Sequence, residues 1–590
     1  MNVKRIYETV KYMTPRQWEY RLLYTARNKL LKRKPSKKIR HETIRRLSMN
    51  YSNQVQLDDF QEADGLLLNK IPSISSRVEF FQSNIDWDMK DEEYRLVCFR
   101  VNSFRYLLTL SNAFKQSGNR KYVDRGFELI DNWIANNFSL ISGDKWSPYV
   151  IADRLMNWIG FVSEYCDDTK IKHYAKHIYP QAIELMKSIE YQLGANHLLS
   201  EGRALIAAGA FLNNDKMYQY GKKILQKEFD VQFLNDGGHY ERSVSYHVES
   251  LQQYFEAIWI MNYLGDSAAQ SFAMMIKEAY KFLNNMIGVN GEIPLFNDSA
   301  IDYPFYDARD FLATTEYLYK TTPTNAYPGD YKVSWNMDNF EKLDCNWNIN
   351  ELSESTGFLH HRFQLGDNKY SVYFDVGDNG PDSNLGHTHA DSLSILLSCS
   401  NKRILVDSGA FTYQNGELRN QCRSTKAHNT LEIDDTDNAE VWSAFRVGRR
   451  GHSKVDYYEN CKGTMKIRAS SNGYTNILKE PANHIRELIV DDQRGILIVN
   501  DSLECNNSHK VTIRYHIGPD CSVQKLDEYT CLIDNKYVMK ISERIEITKC
   551  TVASKFGILE ETSCVESTFS TKDRKQIITK IQIMEKKKND

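Results

Sequence analysis

The 590-residue sequence contains no apolar run that approaches the length needed to cross a membrane. Its 11 cysteines are scattered and never form CxxC pairs, which argues against a secreted disulfide framework and indicates reduced thiols. The first 35 residues lack the continuous apolar core of a secretory signal peptide. Together these absences predict a cytoplasmic protein.

A strong charge imbalance is also missing. The formal net charge of -2 gives no overall field that would attract nucleic acid, so nucleic acid is not an expected partner. Hydrophobic residues make up 41% and charged residues 26% of the chain, as in ordinary globular proteins. The length exceeds one ordinary domain and predicts two or three.

The first forty residues are basic, and the segment 29–38 is especially rich in Lys and Arg. Trp18, Leu22, Leu23 and Leu30 predict an amphipathic helix within them. Such a helix can rest on an anionic membrane surface, which makes peripheral membrane association one expectation. The alternative is a solvated arm that packs on its own protein. We assign residues 1–80 to this basic helical arm and a linker.

The rest of the chain changes character near residue 340. Helical periodicity dominates from about 90 to 320, including single helices predicted over 94–114 and 268–286. Beyond 340, short β-branched segments alternate with Gly, Asn and Asp turns. We therefore predict an α/α toroid or helical bundle over 81–340 and an antiparallel β-sandwich over 341–590.

The stretch GHTHAD at 386–391 places two histidines one residue apart, directly before an apolar run at 393–397. That run is typical of a buried strand, and side chains two residues apart on a strand share a face. We therefore expect His387 and His389 to project together. Two such imidazoles can bind a metal, move a proton or do one of each; the alternative is a polar pair at a strand entrance.

Two further segments contribute candidate metal ligands. Asp407 ends a short apolar strand, and His428 lies within the polar segment 423–431. With His389 they form a mixed nitrogen and oxygen set that suits zinc or a similar divalent ion. Their spacing is not a local metal motif, so the site requires three chain segments to meet in space.

In the helical half, the stretches 194–203 and 236–247 are more polar than a core helix needs. Asn196 and His197 stand at a predicted helix start, where Asn is also a good cap. The second stretch, DGGHYERSVSYH, combines a double glycine with His, Tyr, Glu and Arg at the mouth of a helix. Core packing does not select that mixture, which favours a functional site.

Arg154 and Asn157 lie three residues apart and share one face of a predicted helix, behind the aromatic segment 146–149. An arginine beside aromatic rings can hold a carboxylate or a sulfate through two parallel hydrogen bonds. An internal salt bridge is the alternative.

Taken together, these segments resemble the heparinase II/III-like polysaccharide lyases, relatives of alginate lyases with a helical toroid. The motifs that carry the resemblance are WSPYVIADRLMNWI at 146–159, ANHLLSEGRALIAAGAF at 195–211, DGGHYERSVSYH at 236–247, LFNDS at 295–299, GHTHADSLS at 386–394, VDSGAFTY at 406–413, RSTKAHNTLEID at 423–434 and VWSAFRVGRR at 441–450. The resemblance implies an N-terminal α/α toroid and a C-terminal antiparallel β-sandwich. It also implies cleavage of an acidic, uronate-containing polysaccharide by β-elimination.

β-Elimination requires removal of the C5 proton beside an ionised carboxylate, so donors must neutralise that carboxylate while a base and an acid move protons. By resemblance, Asn196 and His197 face the carboxylate. Tyr246 acts as base or acid, and His387 takes or relays a proton. Tyr413 resembles a second tyrosine that some relatives use.

The resemblance further implies a mainly structural metal site, with Zn2+ as the expected ion, which orients the loop that carries His387. Its ligands are His389, Asp407 and His428. The residues expected to bind or support the substrate are Arg154, Asn157, Glu201, His239, Arg242 and Arg423. The basic start, with YMTPRQW at 12–18, resembles relatives encoded with bacterial capsule or exopolysaccharide machinery, so a self-made polymer joins heparan sulfate and alginate as a candidate substrate.

Two other functions are compatible with the sequence. Toroids of this kind also host glycoside hydrolases, which need two carboxylic acids flanking a cleft. The acids available for that role are Glu201, Asp236, Glu241 and Asp298. A non-catalytic glycan-binding component of a polysaccharide assembly system is the remaining alternative, against which the intact set of Asn196, Tyr246 and His387 argues.

Overall fold

A computed structural model describes residues 3–30, 33–36, 43–47, 57–72, 77–79, 85–89, 95–302, 308–323, 337, 339–348, 350–400, 402–571 and 576–584. Much of the predicted linker, the proposed boundary at 80–81 and part of the basic segment 29–38 lie outside these residues. The domain limits at 80 and 340 therefore stay predictions.

Helices fill the first half of the chain, as predicted. They are α1 (Val3–Val10), α2 (Pro15–Leu30), α3 (Leu57–Leu67), α4 (Arg95–Ser103), α5 (Tyr106–Ser117), α6 (Lys121–Asn137), α7 (Pro148–Tyr165), α8 (Asp168–Lys187), α9 (Ala195–Phe211), α10 (Asp215–Gln232), α11 (Val244–Tyr263), α12 (Ala268–Met275), α13 (Lys277–Met286), α14 (Ala308–Leu312) and α15 (Thr315–Leu318). Most of α9 and α11 is buried on every side, so both are central helices of this half.

Two of the predicted long helices are interrupted. The helix predicted over 94–114 is broken at Phe104, whose φ of 61° cannot continue a right-handed helix. The helix predicted over 268–286 is broken at Ile276, where ψ is 2° and the backbone N–H also reaches the carbonyl of Met274. Single helices at these two places are therefore wrong, because periodicity alone does not mark a one-residue break.

Strands dominate the second half. After the small pair β1 (Lys70–Pro72) and β2 (Arg77–Glu79), they are β3 (Leu352–Ser353), β4 (Phe358–Leu365), β5 (Asn368–Asp375), β6 (Ile395–Cys399), β7 (Lys402–Leu405), β8 (Leu431–Ile433), β9 (Val441–Trp442), β10 (Arg446–Val447), β11 (Ser453–Cys461), β12 (Thr464–Ser471), β13 (Ala482–Asp491), β14 (Ile496–Cys505), β15 (Lys510–His516), β16 (Val523–Lys525), β17 (Thr530–Ile533), β18 (Tyr537–Ile541), β19 (Ile545–Val552), β20 (Glu560–Ser570) and β21 (Gln576–Ile583). Two short helices, α16 (Glu417–Arg423) and α17 (Gly473–Ile477), interrupt them.

These strands form antiparallel sheets around one apolar core. The orders are β3-β4-β5-β6-β7, β11-β12-β13-β14-β21-β18-β17-β16 and β19-β20-β15-β8. Val372, Leu488 and Ile513, one from each sheet, belong to the same buried cluster. Burial alternates along β14 with a period of two, as expected for a strand with one face on a core.

The two halves pack firmly against each other through the five-stranded sheet. Phe358, Tyr373 and Leu396 belong to the hydrophobic cluster of the helical half. The hydroxyl of Tyr373 also donates to the carbonyl of Met286 at 3.0 Å. The junction is therefore a well-packed interface, which can hold a cleft between the two halves in a fixed shape.

The N-terminal arm, residues 3–30, contacts both halves. The Arg16 guanidinium lies 3.6 Å from the ring centroid of Tyr191, and Gln17 Nε2 donates to the carbonyl of Ser383 at 3.1 Å. On its outer side, Trp18, Leu22 and Leu23 are 42%, 69% and 55% exposed. The arm thus packs on its own protein and still presents apolar side chains to solvent. No helix in the described ranges is both long and apolar enough to cross a bilayer.

Candidate active site

Tyr246, His387 and Tyr413 form the centre of the candidate site. The rings of Tyr246 and His387 stack with centroids 3.7 Å apart. The Tyr246 hydroxyl donates to the Tyr413 hydroxyl at 3.0 Å. Both tyrosines are buried, whereas the His387 side chain is 12% exposed. Three side chains predicted to be catalytic, from one helix and two loops of the β-half, are therefore in contact.

The start of α11 positions Tyr246. Ser243 caps the helix because its Oγ accepts from the Tyr246 backbone N–H at 3.4 Å. The same hydroxyl donates to the carbonyl of Asp298 at 2.7 Å, and Ser245 Oγ donates to the carbonyl of Ala300 at 2.9 Å. The first turn of α11 is thereby fixed to the LFNDS segment of the sequence.

The loop 386–394 holds the two histidines, and the prediction that they share a strand face is wrong. The strand β6 begins only at Ile395, after Leu393 with a φ of 62°. The loop bonds instead to the LFNDS segment: His389 N–H donates to Asn297 Oδ1 at 2.8 Å, and the His387 carbonyl accepts from Asp298 N–H at 3.1 Å. The two imidazoles nevertheless meet at one group.

That group is the carboxylate of Asp298, which is fully buried. Its Oδ2 accepts from His387 Nδ1 at 3.0 Å, and its Oδ1 accepts from His389 Nε2 at 2.9 Å. The Arg419 guanidinium bonds both oxygens. Burial raises the pKa of Asp298, but the Arg419 charge and these hydrogen bonds outweigh it and hold the pKa well below its usual value. An ionised Asp298 therefore fixes a proton on His387 Nδ1 and leaves Nε2 as the free basic nitrogen.

A second acid lies near the Nε2 atom of His387. Glu241 Oε1 is 3.8 Å from His387 Nε2, and its Oε2 is 3.8 Å from His239 Nδ1. Burial raises the pKa of Glu241, opposed by the charges of His387 and His197. Both contacts are longer than a hydrogen bond, so Glu241 does not compete with a substrate for the His387 Nε2 lone pair.

Asn196 and His197 begin α9 and approach α11 one turn beyond Tyr246. Asn196 Nδ2 donates to Glu249 Oε2 at 3.2 Å, and the Tyr149 hydroxyl donates to Glu249 Oε1 at 2.8 Å. His197 Nδ1 bonds Glu190 Oε2 at 2.8 Å, and the His197 ring lies 4.7 Å from that of Tyr149. Burial lowers the pKa of His197, but the Glu190 hydrogen bond and charge raise it overall above its usual value. The start of α9 therefore offers an amide and an imidazole whose protonated form is favoured by Glu190.

His389, Asp407 and His428 come together at the buried side of the same loop. One ligand atom from each lies within 4.8 Å of the others. His389 Nδ1 is buried without a hydrogen-bond partner, while Asp298 occupies the opposite nitrogen. A histidine held by a carboxylate on one nitrogen and free on the other is the usual arrangement of a metal ligand. Burial lowers the pKa of His389 to about 4, against the effect of Asp298, and so keeps the ring neutral as ligation requires. The three residues fit a divalent ion such as zinc.

Three predicted substrate-binding residues lie inside the helical half instead. Arg154 is fully buried in α7, where its Nε donates to Gln181 Oε1 at 2.6 Å and its guanidinium stacks on Trp133. Asn157 Nδ2 donates to the carbonyl of Ser103 at 2.8 Å. Glu201 is fully buried, and burial together with the neighbouring Glu190 raises its pKa well above the usual value. Arg154 and Glu201 are both 0% exposed, which contradicts their predicted roles in substrate binding: they hold helices together. Asn157 is only partly buried, and its predicted role stays a prediction.

The other three predicted substrate-binding residues support the site from behind. His239 is buried against Gln232. Arg242 Nε donates to the carbonyl of Thr356 at 2.7 Å and so links the two halves. Arg423 is buried, and its Nε donates to the carbonyl of Thr388 at 2.9 Å, between the two histidines. His239 and Arg423 are buried and position the site, whereas Arg242 is partly exposed and its predicted role in substrate binding stays a prediction.

Three important residues were absent from the predicted site. Asp298 belongs to the quoted LFNDS motif and was considered only as a hydrolase acid. Glu249 lies one turn after Tyr246 on α11, a spacing that places both on one face. Arg419 lies in the unremarkable segment ELRNQCR, and nothing in its local sequence marks it as the partner of a residue 121 positions away.

Comparison with protein families covers both halves of the chain. The model described as Heparinase II/III N-terminus matches residues 2–319, and that described as Heparinase II/III-like, C-terminal, matches residues 352–589. The chain belongs to the heparinase II/III-like family. Two heparin-sulfate lyases resemble it: that of Bacteroides thetaiotaomicron at 21% identity over 71% of this chain, and that of Bacteroides stercoris at 23% over 67%. The chain spans 61% and 63% of the lengths of these two relatives.

Solved structures confirm the fold expected for the family. A crystal structure of heparinase III matches with a TM-score of 0.73 at 16% identity, covering 99% of this chain and 94% of that one. A chondroitin AC lyase of Streptomyces coelicolor A3, solved with chondroitin sulphate, matches with a TM-score of 0.50 at 9% identity, covering 90% and 79%. This heparinase II/III-like chain therefore consists of an N-terminal α/α toroid and a C-terminal antiparallel β-sandwich.

Proposed function

We propose that the chain cleaves an acidic, uronate-containing polysaccharide by β-elimination. The observation that carries the proposal is the contact of Tyr246 with both His387 and Tyr413. The Asn196 amide bonds Glu249, which lies one helical turn after Tyr246 on α11. Membership of the heparinase II/III-like family and the names of the lyase relatives support the same reaction class.

Asn196 and His197 are assigned to the uronate carboxylate. Proton loss from C5 is slow while the neighbouring carboxylate carries a full negative charge, because the intermediate that forms then bears two negative charges. The Asn196 amide and a protonated His197 supply a hydrogen-bond donor and a positive charge to that group. Glu190 supports the assignment, because its hydrogen bond raises the pKa of His197 and favours the cationic ring.

His387 and Tyr246 are assigned to the two proton transfers. His387 Nε2 takes the C5 proton, since Asp298 holds the other ring proton at Nδ1. The Tyr246 hydroxyl, already aligned by Tyr413, gives its proton to the departing O4. The C4–O4 bond breaks as the C4–C5 double bond forms, and the imidazolium then returns a proton to the tyrosinate directly or through water.

His389, Asp407 and His428 would hold a divalent ion, which would supply positive charge to fix three chain segments at one point. Asp298 links the residues of the reaction centre to this site. That carboxylate bonds His389 on the ligand side and His387 on the cleft side, so it keeps the loop and the base in a single orientation.

The ultraviolet absorbance of the unsaturated uronate product tests this proposal. The purified protein should generate it from at least one member of a panel that holds heparan sulfate, chondroitin sulfate, alginate and the acidic polymer of the source cell. Tyr246→Phe should abolish the signal, whereas Tyr457→Phe, a conservative change on the remote strand β11, should not. Equal rates in wild type and Tyr246→Phe would refute the assignment of the acid.

The same assay separates the alternatives. A glycoside hydrolase would release reducing ends without new absorbance. Glu241 and Asp298 are the acids nearest the centre, but Asp298 is tied to Arg419 and cannot serve as a proton donor while its pKa is so low. Binding of the polymer without cleavage would instead favour a component of a polysaccharide assembly system.

The arm supports a peripheral membrane position for the same activity. Trp18, Leu22 and Leu23 face solvent on a helix rich in Arg and Lys, which suits the surface of an anionic membrane. This position would suit a cytoplasmic enzyme that acts on a capsule or exopolysaccharide polymer of its own cell. Sedimentation with phosphatidylserine vesicles tests it: wild type should co-sediment, Trp18→Ser/Leu22→Ser should not, and equal behaviour would exclude this role.

A further inference from the structure

The hairpin formed by β9 and β10 belongs to the motif VWSAFRVGRR at 441–450, to which the proposed reaction assigns no role. Arg446 pairs with Trp442 across the hairpin, so residues 443–445 form its turn. Phe445, at the end of that turn, is 45% exposed, and no other phenylalanine in the described ranges is exposed to that degree. Because water solvates an aromatic ring poorly, a ligand that covers this one gains free energy.

The exposed ring of Phe445 borders the reaction centre. Its centroid lies 6.1 Å from that of His387 and 5.3 Å from that of Tyr413, in both cases edge to face. The Arg419 guanidinium lies over the same ring, 5.5 Å from its centroid, so the protein covers one part of the ring and leaves the rest to solvent. A molecule bound at His387 and Tyr413 therefore has an open aromatic surface beside it.

Two buried arginines of α16, Arg419 and Arg423, fix the turn that carries Phe445. Arg423 Nη1 donates to the carbonyls of Ser443 at 2.9 Å and Ala444 at 3.3 Å. Arg419 Nε donates to the same Ala444 carbonyl at 2.9 Å. A turn that is bonded at two successive carbonyls by buried cations has little freedom to move, so the backbone of Phe445 is positioned before any ligand arrives.

Arg419 also connects this turn to the base. Besides the Ala444 carbonyl, it bonds both oxygens of the Asp298 carboxylate, whose Oδ2 accepts from His387 Nδ1 at 3.0 Å. One continuous set of buried hydrogen bonds therefore holds both the imidazole and the turn that carries Phe445. A fixed distance between a base and an apolar surface suits a substrate that must present one carbon to the base while a neighbouring sugar is held in place.

The position of Phe445 indicates which sugar it contacts. Pyranose rings have faces made of C–H groups, and such a face can pack on an aromatic ring with loss of water from both. Phe445 lies nearer to Tyr413 than to His387, and Tyr413 accepts from Tyr246, the residue assigned to protonate the departing O4. The ring is therefore on the side of the sugar that leaves with O4, whereas the uronate C5 faces His387.

We propose that Phe445 is an aromatic platform on which the C–H face of the departing sugar packs. This inference rests on the proposed function and deepens it, because it assigns a binding subsite to the sugar that leaves with O4. Recognition at this subsite depends on an apolar face and not on charge, so neutral and sulfated sugars are both accepted where that face is free.

Binding of a heparan sulfate tetrasaccharide, measured by calorimetry, tests the platform independently of catalysis. Phe445→Ala should weaken binding roughly fivefold to tenfold, because the contact between the sugar and the ring is lost. Phe445→Leu keeps an apolar side chain without a flat ring and should also weaken binding. Phe445→Tyr keeps the ring and should bind within about twofold of wild type.

Tyr529→Ala is the matched control, because it removes an aromatic ring that is 39% exposed beside β17, and it should bind like wild type. A disaccharide with the uronate at its non-reducing end lacks the departing sugar, so wild type and Phe445→Ala should bind it alike. Equal tetrasaccharide affinity in these two proteins, including no binding by either, would overturn the proposal. Full binding by Phe445→Leu would also overturn it and would assign the residue to packing of the hairpin.

The platform and the proposed function can fail separately. If the unsaturated product forms, Phe445→Ala should raise KM roughly fivefold with little change in kcat, since the departing sugar is held equally before and during the reaction. Cleavage with unchanged KM and affinity would leave the reaction standing without the platform. If no uronate polymer yields the product but Phe445→Ala still binds the tetrasaccharide less tightly than Phe445→Tyr, the platform stands and the lyase reaction does not.

Discussion

His387 and His389 are two residues apart and bond the same carboxylate, yet their surroundings differ. His387 is stacked on Tyr246 and partly open to the cleft, with its Nε2 free. His389 is completely buried beside Asp407, with its Nδ1 free. Asp298 bonds Nδ1 of His387 and Nε2 of His389, so each ring presents a different nitrogen to its surroundings. This difference distinguishes the proposed proton-transfer role of His387 from the proposed metal-ligand role of His389.

The largest expected effect contrasts these two histidines. His387→Gln should reduce the rate of product formation by about 10²- to 10⁴-fold, because it removes the base while keeping a donor for Asp298. Its thermal unfolding should stay close to that of wild type. His389→Gln should instead lower thermal stability and metal content together. If both variants lose activity and stability equally, the assigned division of roles is wrong.

A second contrast uses a matched buried cluster whose carboxylate does not bond the ring of His387, although its arginine, Arg486, donates to the carbonyl of Leu393 at 2.6 Å. Asp501 bonds Arg486 at 2.7 Å and His484 at 2.6 Å, much as Asp298 bonds Arg419 and two histidines. Asp298→Asn and Asp501→Asn should each lower the free energy of unfolding by about 3–5 kcal/mol, since each leaves a buried arginine unpaired.

Activity measured well below the unfolding temperature separates the two clusters. It should fall only in Asp298→Asn, because only that carboxylate holds the ring of His387. Equal activity loss in Asp501→Asn would show that stability alone explains both effects.

Chelation tests the ligand site itself. A tightly bound ion stabilises the fold by about 4 kcal/mol when its concentration is about a thousand times its dissociation constant. A chelator should therefore lower the melting temperature of wild type, and elemental analysis should find one divalent ion per chain. His428→Ala should melt at the lower temperature with or without chelator. If the wild type contained no metal and its melting temperature did not change with chelator, the proposed metal site would be disproved.

A third histidine, His361, differs from His387 and His389 in that its effect on stability should depend on pH. His361 bonds Asp492 at 2.8 Å and Glu351 at 3.2 Å, remote from the cleft. Burial lowers the pKa of His361, but these two hydrogen bonds raise it overall to about 9. The unfolded value is about 6.5, so this stabilisation is complete below about pH 6.5 and is lost as the pH rises through about 9.

Denaturant unfolding at several pH values measures that effect. The difference in free energy of unfolding between wild type and His361→Gln should shrink by about 2–3 kcal/mol between pH 6 and pH 10. Activity at constant pH should be unchanged in the variant. A difference that does not depend on pH would mean that His361 is not charged in the folded state.

The smallest expected effect concerns His197. Because Glu190 holds its Nδ1, Glu190→Gln should lower the pKa of His197 as followed by NMR of the ring protons. KM should rise roughly twofold to fivefold near neutral pH, with little change in kcat at saturation. An unchanged titration of His197 would contradict its pairing with Glu190.

The sequence predicted most of the fold because its signals are local. Helical periodicity, β-branched alternation and turn residues predicted a helical half, either a toroid or a bundle, and a sandwich, and the family resemblance implied the toroid. The motifs pointed to Tyr246, His387 and three candidate ligands, which the structure brings together. Local signals failed where one residue changes the backbone, as at Phe104 and Leu393. The positive φ angles there follow from surrounding contacts, which periodicity does not report.

Two kinds of site residue escaped local reasoning. Arg154 was correctly placed on a helix face, but its side chain points into the helical half and is fully buried. The sequence alone does not distinguish such an arginine from one that binds a substrate. Arg419 pairs with Asp298 across 121 residues. The chemistry of that pair depends on the folding of distant segments against each other, and only the three-dimensional structure supplies it.

The arm has a consequence for how the chain is made. Arg5 donates to Glu440 across 435 positions, so α1 leaves the ribosome long before the segment on which it docks is synthesised. At about 5–20 residues per second, the delay between the two is roughly 20–90 seconds. During that time the toroid can assemble from its own short-range contacts while the arm stays undocked. Docking of the arm is therefore a late step, which must follow synthesis of the segment around Glu440.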